Sequence, residues 1–252
     1  MLPKFSKEIS WLKKDKYPIL DLQADIKRIK DGEPLDYIIG WTSFLGCHID
    51  LSERPLIPRP ETEYWLEQVS NKLPKNTPLK ILDLCCGSGC IGIALLKLLP
   101  KSTVDFVDIS PEAIKQTQIN LDINKISLTS YRFFRSDLFT NLSSRYDYIF
   151  CNPPYVDIAG KYDSSLKYEP PEALFAPDHG LQLIKRVLSD SFLHSKTPGT
   201  LYLEFGYKQM TAIKKHCTSL GMKNITFFKD QFGRYRFLSL TSGQLISTIK
   251  KY

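Results

Sequence analysis

From Leu79 onward, short apolar runs alternate with amphipathic stretches, and this rhythm restricts the possible folds more than any other feature. Extended runs fall at 80–84, 103–107, 131–134, 146–150, 200–205, 223–228 and 235–240, and helical patterns at 90–99, 111–123, 181–194 and 207–220. A strand that leads through a helix to another strand closes as a parallel pair. The last two strands are separated only by residues 229–234, so they read as a hairpin in which one strand runs antiparallel. The expected fold class is therefore α/β. Residues 79–252 are expected to form a domain built on a Rossmann-like, seven-stranded, mostly parallel sheet with an antiparallel C-terminal hairpin.

Residues 1–73 read as a small N-terminal helical lobe and hairpin, with substrate docking as its expected role. Residues 1–31 are expected to be helical in two pieces broken at Tyr17-Pro18. Strand-like alternation around Gly46, from Trp41 to Leu51, predicts the hairpin. Pro60 before Glu61 and Glu63 predicts a helix start, because proline loses nothing at the first helical position and anions favour the positive end of the dipole. That helix is expected to reach about Leu73. The segment Pro74-Lys75-Asn76-Thr77-Pro78 is a linker.

At 252 residues, with 42% hydrophobic and 24% charged content, the chain can bury a sizeable core. It contains no apolar run near the roughly 18 residues of a membrane span, so a soluble protein with no membrane partner is expected. Lys and Arg exceed Asp and Glu by 34 to 27, a formal charge of +7. That surplus fits work near ribosomes, RNA or an acidic partner, and equally a solvated basic surface. Cysteines at 47, 85, 86, 90, 151 and 217 lack paired Cys-x-x-Cys spacing, which argues for reduced thiols and against a metal site. The first 17 residues carry five lysines among apolar residues, as an organelle presequence would, yet they lack arginine and contain Glu8 and Asp15. A small cationic helix is the competing reading of that segment. The expected compartment is mitochondrial, with a cytoplasmic enzyme as the alternative.

The first strand of the sheet runs through Asp83 into Cys85, Cys86, Gly87, Ser88 and Gly89 and then into a helix. Such a turn lets a ligand approach the backbone, while the helix N-terminus offers free N–H donors. Asp108 ends the next strand 19 positions after Gly89, close to the separation at which a carboxylate grips a ribose hydroxyl pair. Asp83 is an awkward neighbour for a pyrophosphate and a good one for an ammonium, so the ligand implied is a nucleoside with a cationic tail, S-adenosyl-L-methionine. After the third strand, Asp137 is expected to accept from the adenine amine and Leu138 to pack on the ring; a turn or cap role for Asp137 is the alternative.

Asn152, Pro153, Pro154 and Tyr155 follow the fourth strand. Proline fixes φ and restricts its predecessor, which makes this a stiff corner that stops the strand. An amide or aromatic amine can give one N–H to the Asn152 side-chain oxygen and the other to the Pro153 carbonyl. The corner falls at the switch point where such sheets bind ligands. Asn-Pro alone also marks ordinary turns.

Together, the turn at 83–89, Asp108 and Asn-Pro-Pro-Tyr resemble a class I amino-methyltransferase. Pro58-Arg59-Pro60-Glu61-Thr62-Glu63, Tyr168-Glu169-Pro170 with Ala173-Leu174, Gly180-Leu181, and Leu203-Glu204-Phe205-Gly206 with Gln209 are similar to the HemK/PrmC family of protein-glutamine N5-methyltransferases. The resemblance runs from about Arg28 to Leu240. It implies methylation of the glutamine in the Gly-Gly-Gln loop of a class I peptide-chain release factor, with Cys85 to Gly89 and Asp108 on the cofactor and Asn152 to Tyr155 gripping the glutamine. Asn152, Pro153 and Tyr155 are the expected catalytic residues, and Asn152 is expected to reach the cofactor as well. The family usually has Gly-Thr where Cys85-Cys86 stand, and its helical N-terminal domain is longer than the 27 residues that precede Arg28 here. Methylation of an exocyclic amine in DNA or RNA uses the same two N–H groups, and a non-catalytic ribosome-binding module is a further alternative. No added recognition domain or basic-aromatic stripe points to a nucleic-acid substrate.

Overall fold

The computed structural model describes residues 22–242. The readings of residues 1–17 and of the first helical piece lie outside the described residues. Two helices, α1 (Leu22–Lys30) and α2 (Leu35–Ile39), precede the hairpin of β1 (Trp41–Phe44) and β2 (Cys47–Asp50). Helix α3 (Pro60–Ser70) has Pro60 in its first turn, as the sequence predicts, but stops short of Leu73. There Lys72 and Leu73 donate to the carbonyls three residues back, and the helix tightens to an end.

The main sheet comprises β3 (Lys80–Leu84), β4 (Thr103–Asp108), β5 (Tyr131–Arg135), β6 (Tyr146–Cys151), β9 (Ser195–Glu204), β10 (Ile225–Lys229) and β11 (Tyr235–Thr241). Their order is β10-β11-β9-β6-β3-β4-β5, and only β11 opposes its neighbours. Helices α4 (Cys90–Leu98), α5 (Pro111–Ile123), α6 (Gln182–His194) and α7 (Met210–Ser219) complete the alternation. Strand β9 begins at Ser195 rather than near Thr200, with a register shift opposite Tyr146 and Tyr148. A two-residue parallel pair, β7 (Val156–Asp157) with β8 (Phe175–Ala176), has no counterpart among the expected strands. It is too short to carry an alternation signal, and it ties the chain after Tyr155 to the segment after Glu169.

Alternation along the strands divides the core between the two faces of the sheet. Ile81, Phe106, Phe150 and Phe237 face α3, α4 and α5, whereas Leu82, Leu84, Val107, Ile149 and Leu203 face α6 and α7. Trp65 of α3 is fully buried and stacks on Phe150 and Phe237. Tyr37, Phe44, Ile49 and Leu66 belong to this same cluster, so the elements before the linker share the core of the sheet. Asn120 of α5 and Asn124 at its C-terminal end bond the backbone of β2 at Asp50 and His48.

The register of the parallel strands sets the position of the site. Leu84, Val107, Phe134, Cys151 and Leu203 lie abreast across five parallel strands. The next residue on each strand, Cys85, Asp108, Arg135, Asn152 and Glu204, therefore emerges along one edge, where β3 reverses the direction of winding.

Candidate active site

Two adjoining cavities open at that edge. The larger, about 260 Å³, is walled by the 84–88 turn, Asp108 to Ser110, Ser136 to Leu138, Asn152 and Pro154. On its far side stand Arg54, Leu56, Pro58, Arg59, Thr62, Glu172 and Ala173. The smaller, about 160 Å³, is lined by Pro153, Tyr155, Val156, Leu166 and Leu174. Leu56, Arg59, Asn152 and Ala173 belong to both. Asn152 thus stands at the junction.

Backbone geometry shapes the turn. Cys85, Gly87 and Gly89 have φ of 60°, 55° and 76°, left-handed values that glycine adopts without strain and cysteine does not. Cys86 N–H donates to Val107 carbonyl at 3.0 Å and Gly89 N–H to Cys86 carbonyl at 2.7 Å. Asp108 cross-links two loops, its Oδ2 accepting from Gly87 N–H and its Oδ1 from Ser110 N–H, both at 3.0 Å. Burial pushes its carboxyl up, against the downward pull of those backbone donors. Ser110 then caps α5 by accepting from Ala113 N–H at 3.2 Å.

Most residues expected at the cofactor are brought together: Cys85, Cys86, Gly87, Ser88, Asp108, Asp137, Leu138 and Asn152 all line the larger cavity. Asp83 and Gly89 are not among its walls. Asp83 lies beneath the turn, where Oδ2 accepts from Gly92 N–H at 2.8 Å, and Oδ1 is buried with no hydrogen-bond partner among the described residues. Burial pushes its carboxyl up to about 8, the Gly92 N–H opposes this, and Asp108 adds to it. Asp137 reaches the cavity, yet both its oxygens are held by Arg186, at 3.0 and 2.9 Å. Its expected adenine contact therefore competes with a bidentate ion pair.

Sequence reasoning assigns no role to Thr62, Trp65, Glu169 or Glu204. Glu204 is fully buried and accepts from Thr62 Oγ1 and Trp65 Nε1 at 2.7 Å each and from Tyr155 OH at 2.9 Å. Burial pushes the Glu204 carboxyl up, partly offset by these donors and by Arg236. A glutamate ending an apolar strand was the available signal, since a carboxylate is rarely fully buried unless paired. Gln209 holds the corner from behind, giving its amide N–H groups to the carbonyls of Tyr155 and His179 at 2.9 and 2.8 Å while Oε1 accepts from Gly206 N–H.

The cavity's chemistry fits a cationic nucleoside. Five carboxylates (Glu53, Asp108, Glu112, Asp137, Glu172) face two guanidiniums (Arg54, Arg59), and Leu138 and Ile109 add apolar surface. Fold and site together define a Rossmann-like, S-adenosylmethionine-dependent methyltransferase.

A family model described as the methyltransferase small domain matches residues 66–166. The release factor glutamine methyltransferase of Lactococcus lactis subsp. lactis is 35% identical over 242 residues, covering 92% of this chain and 88% of that protein. Its counterpart in Streptococcus pneumoniae is 38% identical over 221 residues, covering 84% and 76%. Among solved structures, a methyltransferase from Pyrococcus furiosus superposes with a TM-score of 0.60, at 17% identity over 88% of this chain and 98% of that one. The T. thermophilus 16S rRNA N2 G1207 methyltransferase, in complex with AdoMet and guanosine, gives 0.57 at 17% identity over 80% and 49%. At such identities the solved structures speak for the fold. The sequence relatives go further: this chain belongs to the release factor glutamine methyltransferase family and is a protein-glutamine N5-methyltransferase.

Proposed function

We propose that this enzyme methylates N5 of the glutamine in the Gly-Gly-Gln loop of a class I peptide-chain release factor. The observation that carries this reading is the place of Asn152, at the junction of a carboxylate-rich cavity suited to the cofactor and a narrower one walled by Leu56, Val156, Leu166 and Leu174. A glutamine side chain is an apolar stem with an amide head, and the smaller cavity supplies apolar walls leading to an amide. The names of the relatives support the same substrate.

S-adenosylmethionine supplies an electrophilic methyl when bound; Asp108, the 85–88 turn and Leu138 are the residues that would hold it. An amide nitrogen is a weak nucleophile because its lone pair is delocalised. Asn152 Oδ1 and the Pro153 carbonyl take one N–H each, which fixes the direction of the lone pair, and catalysis is then mostly positional. No general base is needed, since the nitrogen becomes strongly acidic once alkylated. Tyr155 closes the smaller cavity, its hydroxyl anchored on Glu204.

Incubation with labelled S-adenosylmethionine and a recombinant release factor should label the Gly-Gly-Gln peptide. Label entering only nucleic acid would overturn this reading. Asn152→Ala should abolish transfer with little change in cofactor affinity, whereas Asp108→Ala should weaken cofactor binding first. A substrate that works in translation accords with action near the ribosome. An organellar compartment is supported by the lysine-rich residues 1–17, and a bacterial-type cytoplasmic enzyme by the bacterial origin of the relatives. Imaging tagged protein with and without residues 1–17 separates the two.

A further inference from the structure

The hydrogen bonds around Glu204 determine which way the Asn152 amide faces. Trp65 Nε1 and Thr62 Oγ1 both reach the same oxygen of Glu204, Oε2. The indole N–H can only donate, and the Thr62 hydroxyl donates to the same oxygen, so Oε2 accepts from both. A threonine hydroxyl owns one proton, and here it is committed to Glu204. The remaining contact of Thr62 Oγ1, with Asn152 at 3.3 Å, must therefore be one in which the hydroxyl oxygen accepts, and Nδ2 is the only Asn152 side-chain atom able to donate.

Resting on the reading of Asn152 as the group that grips the acceptor amide, we propose that Thr62 is a positioning residue for methyl transfer. Oriented by Glu204, it binds Asn152 Nδ2 and so turns Asn152 Oδ1 toward the acceptor amide. Rotating the Asn152 amide by half a turn gives up the Thr62 bond and sets Nδ2 against the N–H of the substrate, donor facing donor. Tyr155 OH donates to the other oxygen of the same carboxylate, Oε1. One buried side chain thereby fixes both ends of Asn-Pro-Pro-Tyr, and the two prolines stiffen what lies between. Glu204 arrives from β9, Thr62 and Trp65 from α3, and the corner from β6, so three separate elements converge on this proton assignment.

The test uses the full chain, labelled S-adenosylmethionine and an intact class I release factor. Thr62→Val keeps the shape and removes the hydroxyl. It is expected to lower kcat by about ten- to a hundredfold, while KM for the factor and Kd for S-adenosylmethionine stay within about threefold. Thr62→Ser is expected to restore most of kcat. Thr62→Ala, which cannot overpack the site, carries the same expectations should the valine variant fail to fold. Wild-type kcat in the valine variant overturns the proposal, as does failure of serine to restore turnover. A parallel loss of cofactor affinity also overturns it, because Thr62 is then merely a wall of the larger cavity.

A second readout is independent of the substrate. In the wild type, the side-chain amide resonance of Asn152, identified by its disappearance in Asn152→Asp, is expected to show one proton protected from exchange, with that protection lost in Thr62→Val. Equal exchange in the two proteins overturns the orientation even if methyl transfer is normal. Absence of transfer by the wild type, with protection intact, counts against the release-factor reading alone.

Discussion

Arg59 donates from Nη2 to the buried carboxylate of Glu169 at 2.5 Å, and that carboxylate also accepts from Ile57 N–H at 3.0 Å. Arg59 forms part of the wall common to both cavities. Glu169, 110 positions further along the chain, thus aims a cation at the junction and closes the α3 entrance against the segment before β8. Removing it leaves a buried N–H and a half-buried guanidinium without their acceptor. Glu169→Ala is expected to destabilise by about 2–4 kcal/mol, and Glu169→Gln, which keeps an acceptor for Ile57, by about 1–2 kcal/mol. Urea unfolding of both variants measures this. Equal losses would mean that the Ile57 bond contributes nothing.

Cys85 occupies a left-handed backbone position at φ 60°, where the family usually carries glycine. Its thiol is also packed toward Cys151, so stability of a single variant would mix strain with lost contact. Comparing Cys85→Ala with Cys85→Gly removes that ambiguity, because both lose the sulfur and only alanine keeps a Cβ. Glycine is ordinarily the weaker of the two by about 0.5–1 kcal/mol. Here the order should reverse, with Cys85→Gly more stable than Cys85→Ala by about 1 kcal/mol. A thermal melt in which alanine wins would show that the turn relaxes around the side chain.

Asp83 gives the fold a pH dependence of unusual sign. Its carboxyl is pushed up to about 8 from 3.8, chiefly by burial. Between those values the folded state keeps a proton that the unfolded chain has released, so folding binds protons and stability falls as pH rises. The contribution is full below 3.8 and is lost by about 8. Cofactor-free protein should lose stability between about pH 5 and pH 8, with a ceiling near 1.4 kcal/mol per pH unit for one proton. Asp83→Asn keeps the acceptor for Gly92 and should flatten that slope in denaturant titrations. Parallel slopes for the two proteins would assign the dependence to other groups.

How much was legible in the sequence depends on the range over which each signal acts. The bounds of Lys80–Leu84 and Pro111–Ile123 are those expected, because a buried apolar run and a Ser-Pro helix start are local statements. The turn, Asp108 and Asn152 were legible for the same reason, each being a strand end. The partners of Glu204 were not, since Thr62 and Trp65 stand 142 and 139 positions away and meet it only through tertiary packing. Asp137 illustrates the converse. Its place at the cavity was readable from spacing, but its ion pair with Arg186, 49 positions distant, belongs to the packing of α6 beside the β5 loop.

Gly89 separates a residue that touches a ligand from one that merely lets a loop exist. It was expected at the cofactor, yet it is not on the cavity wall, and an added Cβ would lie 2.6 Å from Thr117 Cγ2 and 3.0 Å from Thr117 Oγ1. Its φ of 76° adds strain for any other residue. Thr117 cannot simply withdraw, because its hydroxyl donates to the Gly87 carbonyl at 3.1 Å and so belongs to the same turn. Gly89→Ala is therefore expected to cost about 2–4 kcal/mol, part from the clash and part from the left-handed backbone. Thr117→Ser removes Cγ2 and keeps the hydroxyl, so in the double variant the clash component should be relieved while the backbone component persists. Recovery of about half the loss, measured as a coupling energy in a double-mutant cycle, is the expected outcome. Simple additivity would show that the turn moves away from α5 to admit the methyl, and that Gly89 is required for its backbone conformation alone.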